Sequence, residues 1–317
     1  MSKSNISVII PLYNKAAHIS KTLNSIYQQQ SHAFEVIVVN DGSTDNSLDI
    51  VQDYKAAHNL KNLTIINQPN SGVSIARNNG ALAAKSPFVA FLDGDDIWLP
   101  LYLTQIQAMI DNYPGADMFA CKYQCQTAHN AYKDAKIKLT ERQHSEGIFA
   151  DYFVCAGQGD LPFITSTVTI KRSSFIKFGM FPVNEAMGED QALFSQVAIH
   201  GRIAYSPDIH VVYNLAADNR ACISNIPSAE LPFSRRLTEK TEQLPAIKHN
   251  EKQKKAILTY CAAHLCHIAK LNIQAEQFKQ ARALLADKRC WLKPKHKIGL
   301  YLWSLMAQGK NLVGVAF

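Results

Sequence analysis

No apolar run in this 317-residue chain reaches the ~20 residues that a bilayer-spanning helix needs. The N-terminal stretch, Met-Ser-Lys-Ser-Asn, lacks the pattern of a signal peptide and runs straight into a strand-like segment. Both absences argue against a helical membrane protein and set the expectation of a cytoplasmic one. Paired cysteines are missing too: seven lie scattered at 121, 125, 155, 222, 261, 266 and 290, which fits reduced thiols and not a disulfide framework. No nucleic-acid recognition motif is present, so a DNA- or RNA-binding protein would have to rest on charge alone.

What is present describes a folded globular chain, 47% hydrophobic and 19% charged. Its length suits a domain of roughly 220 residues with an appendage, since single cores seldom grow beyond ~250–300 residues. The net charge of +7 is unevenly placed. Residues 231–317 hold 16 Lys/Arg against 5 Asp/Glu, whereas residues 1–230 hold 17 against 21. A basic tail on a slightly acidic body suggests an anionic partner, or simply a solvated helical surface.

Strand and helix patterns alternate at short intervals along the first half. Ile6–Leu12, Phe34–Val39, Leu63–Asn67 and Phe88–Leu92 read as buried strands, with helices over 18–30, 47–57 and 72–85 between them. This alternation predicts an α/β fold with a mostly parallel sheet flanked by helices, whose ligands bind at the carboxyl ends of the strands. Those ends carry Pro11-Tyr13-Asn14, Asn40-Asp41-Gly42 and Asp93-Gly94-Asp95-Asp96. The last cluster requires a compensating cation, and its hard oxygens suit Mg²⁺ or Mn²⁺ carried with a phosphate. Gly94 would let the backbone turn there. An acidic turn capping the next helix is the simpler alternative.

Four segments, in this order and spacing, resemble family 2 glycosyltransferases: Ser-Val-Ile-Ile-Pro-Leu-Tyr-Asn (7–14), Val-Asn-Asp-Gly-Ser-Thr-Asp-Asn-Ser (39–47), Gly-Val-Ser-Ile-Ala-Arg-Asn-Asn-Gly (72–80) and Phe-Leu-Asp-Gly-Asp-Asp-Ile-Trp (91–98). The resemblance implies a GT-A fold and inverting transfer from a nucleotide-sugar, most simply a UDP-hexose or UDP-N-acetylhexosamine. It places the base beside Asp41, which can accept from a pyrimidine N–H, with Pro11 and Tyr13 as the wall. Arg77 reaches the diphosphate or orders the Asp loop. Asp93 with Gly94 faces the donor sugar or ribose, and Asp95 holds the divalent metal.

Residues 124–160 show no sustained period. Thr165–Ile170 reads as a strand and 172–178 as a short helix, after which Gly188-Glu189-Asp190 heads another helix. Inverting transfer needs a base to take the acceptor's hydroxyl proton, and the resemblance gives that role to Asp190, with Glu189 and Trp98 on the acceptor side. Read without it, Glu189 and Asp190 would only complement the helix dipole. The family often supplies a further metal ligand, a His, after the next strand. Here that stretch, Tyr213 to Ser224, has none, leaving His210, Asp218 and Asn219 as candidates, or water, and Arg220 as a possible diphosphate contact.

The resemblance covers about residues 5–225. We therefore divide the chain into a catalytic domain, 1–229, with its donor half to about 123 and its acceptor half over 124–229, and a basic helical region, 230–317. In the latter, Cys261, His264, Cys266 and His267 share a helix, yet one helix cannot converge four ligands, so packing is expected. Trp291-Leu-Lys-Pro-Lys-His-Lys297, followed by an apolar helix, is a pattern that lies in a membrane interface. Residues 288–317 thus point to an anionic membrane surface, peripheral attachment on the cytosolic face and a saccharide or lipid-linked saccharide acceptor in surface-glycan synthesis; packing onto the catalytic domain is the alternative. A nucleotidyltransferase is a rival within the fold, but Pro11-Leu-Tyr-Asn-Lys15 is not the Gly-rich loop such enzymes carry.

Overall fold

A computed structural model describes residues 5–33, 35–127, 131–185, 187–217 and 226–314. Two compact units result: Met1–Ala150 with Leu161–Asn219, and Asp151–Asp160 with Arg220–Phe317.

The first unit is built on one sheet. Strands β1 (Ile6–Leu12) and β2 (Glu35–Asp41) are buried along their whole length, mostly apolar as strands covered on both faces are, and the Ser7 hydroxyl donates to buried Glu35 Oε1 at 2.7 Å. Phe34, the predicted first residue of the second strand, lies outside the described residues. With β3 (Leu63–Gln68) and β4 (Phe88–Phe91) they form a parallel set in the order β3-β2-β1-β4, linked by α1 (Ile19–Tyr27), α2 (Ser47–Ala57) and α3 (Val73–Ala83). The carboxyl ends of β1, β2 and β4 therefore lie side by side. Helix α3 crosses the sheet closely at Gly80, where an added Cβ would sit 2.4 Å from Ile9 Cγ2 and 3.1 Å from Val39 Cγ2.

Beyond β4 the chain forms β5 (Ile97–Trp98), α4 (Tyr102–Asn112), β6 (Met118–Gln126), β7 (Tyr132–Asp134) and β8 (Gly147–Ile148), with α5 (Tyr152–Ala156) passing into the second unit. Strand β9 (Val168–Lys171) inserts antiparallel between β4 and β6. After α6 (Arg172–Lys177) and α7 (Glu189–His200), β10 (Ile203–Asn214) runs parallel to β6. The strand expected from Thr165 begins only at Val168, because residues 165–167 form a 3-10 turn. Thr167 Oγ1 both donates to the Ile164 carbonyl and accepts from its N–H, and such local bonds compete with a sheet ladder.

The second unit is helical: α8 (Pro232–Gln243), α9 (Pro245–Lys248), α10 (Glu251–Gln274), α11 (Phe278–Ala286) and α12 (Pro294–Gly314). Leu265, Ile268, Ile273, Leu284 and Leu285 form its core, with Leu300, Trp303 and Ala307 of α12 packed against them. Cys261 donates to the Ser234 carbonyl, and His264 sits edge-on to Phe233, its pKa pushed down to about 3 by burial and then by His267. Both serve packing. The opposite side of α12 exposes Ile298, Tyr301, Leu302, Leu305 and Met306. No described helix is long and apolar enough to cross a membrane.

Candidate active site

The loop after β4 does not gather its carboxylates around one point; each takes its own partner. Asp93 Oδ1 accepts from Arg77 Nη2 at 2.7 Å, and Asp95 Oδ2 accepts from Lys15 Nζ at 2.7 Å. Asp96 turns inward, 1% exposed, and accepts from the Ser166 hydroxyl and from Asn214 N at 2.9 Å. Burial, then the charges of Asp95 and Asp93, push its pKa well above the carboxylate range. Ser166 Oγ also accepts from Asp93 N at 3.2 Å, so the turn at 165–167 supports the loop from below.

Lys15 is placed by a clamp between strand ends. Asn14, at φ 51°, accepts through Oδ1 from Thr44 N at 2.8 Å and donates through Nδ2 to Thr44 Oγ1 at 3.1 Å, while Lys15 N donates to Ser47 Oγ at 2.7 Å. Asn tolerates this left-handed backbone better than most residues. Much of the Asn-Asp-Gly-Ser-Thr-Asp-Asn-Ser segment thus aims the ammonium that follows Tyr13-Asn14. Sequence reasoning missed Lys15; its signal was a basic residue directly after a strand end facing an acidic loop. Ser166 was missed as well, hidden in a stretch read as strand.

Pro11 fits the strand interior for a topological reason. Ile9 presents its carbonyl to β4, accepting from Leu92 N, so Pro11, two residues on, faces the same side where β4 has already ended. No ladder bond is lost there. The backbone turns at Gly94 as expected, Asp96 N donating to Asp93 O at 3.0 Å, but without a left-handed φ, and an added Cβ would meet Pro11 O and Lys15 Cγ at 3.4 Å. Glycine's freedom is needed instead at Gly42, φ 68°, where a Cβ would come 2.7 Å from Asn70 N.

Asp41 is 4% exposed and accepts from Gln68 Nε2 at 2.8 Å, Ser71 N at 2.8 Å and Gly72 N at 2.9 Å, which ties the entry of α3 to the end of β2. A carboxylate has about four acceptor positions, so roughly one remains for a ligand. Tyr13, just past the end of β1, is 42% exposed. Trp98 is buried, its indole N–H donating to Ser166 O at 2.7 Å and its ring stacked on Tyr102 at 3.9 Å. It braces the Asp loop and presents no surface to an acceptor.

Arg77 joins the two halves of the site. Its Nη1 donates to Glu189 Oε1 at 2.9 Å while Nη2 holds Asp93, and Phe181 lies 5.2 Å below the guanidinium. Burial opposes this charge, but Asp93 and Glu189 outweigh it and hold the pKa above its ordinary value. Asn78, the next residue, clamps Phe181 through both backbone groups, donating to O at 2.8 Å and accepting from N at 3.1 Å. Gly188, at φ 80°, then starts α7. Asp190 follows, with its pKa raised to about 7 by burial and then by Glu189, against the lowering pull of Arg77. A carboxylate poised near neutral pH suits a general base.

The residues fit a divalent ion only if a ligand brings it. Mg²⁺ usually binds one or two carboxylates plus substrate phosphates, and Asp95 offers one such oxygen. His210 neighbours Asp208, and among the described residues no three His, Cys, Asp or Glu side chains converge on a metal position. Asp218, Asn219 and Arg220 lie outside the described residues.

The profile of "Glycosyl transferase family 2" matches residues 7–178. The chain belongs to this family. As a family 2 chain it is 40% identical to the glycosyltransferase YibD of Escherichia coli over 108 residues, 34% of this chain and 31% of that protein. Across four curated relatives the match spans only 26% to 35% of the relative's length. Among solved structures, Staphylococcus aureus TarS 1–349 in complex with UDP-GlcNAc superposes with a TM-score of 0.65 at 21% identity, covering 98% of this chain and 92% of that one. The mannosyltransferase PcManGT of Pyrobaculum calidifontis, in complex with GDP-Man and Mn²⁺, gives 0.54 at 20%, covering 98% and 88%. These likenesses establish the GT-A fold for the family 2 chain.

Proposed function

We propose that the protein is an inverting glycosyltransferase that moves a hexose or N-acetylhexosamine from a nucleotide-sugar, most simply a UDP-sugar, to a saccharide or lipid-linked saccharide of a surface glycan. One observation carries this reading: Arg77 ties donor-side Asp93 to acceptor-side Glu189, next to Asp190, whose pKa stands at about 7. The nucleotide-sugars held by TarS and PcManGT support the donor class.

In this reading Tyr13 and Asp41 hold the base, and Asp93 orients the sugar while Arg77 fixes its carboxylate. Asp190 takes the proton from the acceptor hydroxyl as its oxygen attacks the anomeric carbon. The new glycosidic bond forms on the face opposite the departing diphosphate, whose bond to that carbon breaks with both electrons. Asp95 would hold a divalent ion arriving with the donor, which would neutralise the charge building on the diphosphate.

The second unit supplies the membrane contact. Exposed Ile298, Leu302, Leu305 and Met306 of α12 follow a basic stretch, where Lys297 lies 4.4 Å over the Trp291 ring. That combination favours an anionic bilayer surface and hence a lipid-linked acceptor. A screen of nucleotide-sugars for nucleoside diphosphate release, with Mg²⁺ and Mn²⁺, tests the activity.

A further inference from the structure

The Asp95 carboxylate, the one protein ligand the reading above gives to a divalent ion, already has a cationic partner in the chain. Lys15 Nζ stands 2.7 Å from Oδ2, and the two side chains are only 14% and 11% exposed. The ammonium is not a drifting surface charge. Its backbone is fixed by Lys15 N donating to Ser47 Oγ and by the left-handed Asn14 clamped to Thr44. Other acceptor positions of the carboxylate remain open, but an ammonium held this close already neutralises its charge and repels a divalent ion that approaches it.

We infer that Lys15 is an internal rival of the metal at Asp95 and makes metal binding conditional on the donor. Without nucleotide, Lys15 holds Asp95 and keeps free Mn²⁺ or Mg²⁺ away. When a nucleoside diphosphate arrives with its ion, its phosphate oxygens give the ammonium a new anionic partner. Asp95 is then released to the ion, so donor and metal load together. No covalent bond changes in this exchange. Lys15 is in this sense a positioning residue for the metal, and the inference rests on the nucleotide-sugar reading for its second half only.

Mn²⁺ binding read by the loss of the free-ion electron paramagnetic resonance signal tests it without using turnover. Wild-type protein alone is expected to bind Mn²⁺ weakly, and Lys15→Met to bind it tighter by on the order of tenfold, the scale on which neighbours of a metal ligand change its affinity. Asp95→Asn added to Lys15→Met should remove the gain. Lys15→Arg, which keeps the charge, should stay as weak as wild type, and thermal melts of all variants verify folding. Equal Mn²⁺ affinity in wild type and Lys15→Met, no binding to either, or tight binding by Lys15→Arg would each overturn the inference. Adding UDP should raise the wild-type affinity for Mn²⁺ and leave that of Lys15→Met less changed. If Lys15→Met gains Mn²⁺ while UDP changes nothing in the wild type, the rivalry stands and the UDP-sugar reading fails instead.

Discussion

Asp93 and Glu189, from opposite halves of the first unit, accept hydrogen bonds from the two terminal nitrogens of one guanidinium, at 2.7 and 2.9 Å. The fork of Arg77 has the shape for this bridge, and a lysine ammonium does not. Arg77→Lys should therefore lose one of the two contacts and destabilise the protein by about 1–3 kcal/mol, as one partly buried carboxylate loses its partner. Urea unfolding measures the loss, and an unchanged midpoint would show that the bridge contributes nothing.

The Asp190 carboxyl should impose an acid limb on the rate of transfer. With its pKa at about 7 it is protonated, and useless as a base, below that value, so kcat/KM should rise as pH passes through about 7. Glu189 is one of the charges raising that pKa. Its neutralisation in Glu189→Gln should move the limb to lower pH even if the maximal rate falls. A limb that stays in place would contradict the assignment of the titrating group.

Gly80→Ala should cost about 1–3 kcal/mol by overpacking, since its Cβ would fall 2.4 Å from Ile9 Cγ2 in the buried face of β1. Donor affinity of the folded fraction should be unchanged. Denaturant unfolding beside nucleotide titration separates the two effects.

Leu302→Asp with Leu305→Asp places two charges on the exposed side of α12, where both leucines are about half exposed. Co-sedimentation with liposomes containing anionic lipid should fall while the thermal melt is unmoved. Equal recovery of wild type and variant with the liposomes would remove the membrane from the description.

The parallel half of the sheet was legible because β1 and β2 are rich in Val and Ile with turn residues after their ends, a pattern that is local in the chain. The motifs that hold Asp93, Arg77 and Asp190 are local in sequence as well, but their roles came from the family resemblance alone. What sequence could not give was the partner of Asp95 or of Asp96. Asp93, Asp95 and Asp96 are neighbours in the chain and invite a single ion, yet the turn sends them to Arg77, to Lys15 and into the core beside Ser166. The partners of Asp95 and Asp96 lie 80 and 70 positions away, and no periodicity announces them, whereas Arg77, 16 positions from Asp93, was expected to order the Asp loop. Trp98 was misjudged for a related reason: an aromatic residue after an acidic loop looks available to a sugar, but Ser166 O and Tyr102 enclose it.

Nucleoside diphosphate release from wild type and Asp190→Asn, assayed side by side with UDP-sugars, a saccharide or lipid-linked acceptor and Mn²⁺, bears hardest on the site as a whole. The wild type should release diphosphate only when a matching acceptor is present, and Asp190→Asn should bind UDP as tightly while its turnover falls by ~10²–10⁴. Full turnover by Asp190→Asn, or failure of the wild type to bind any nucleotide, would contradict the proposed chemistry.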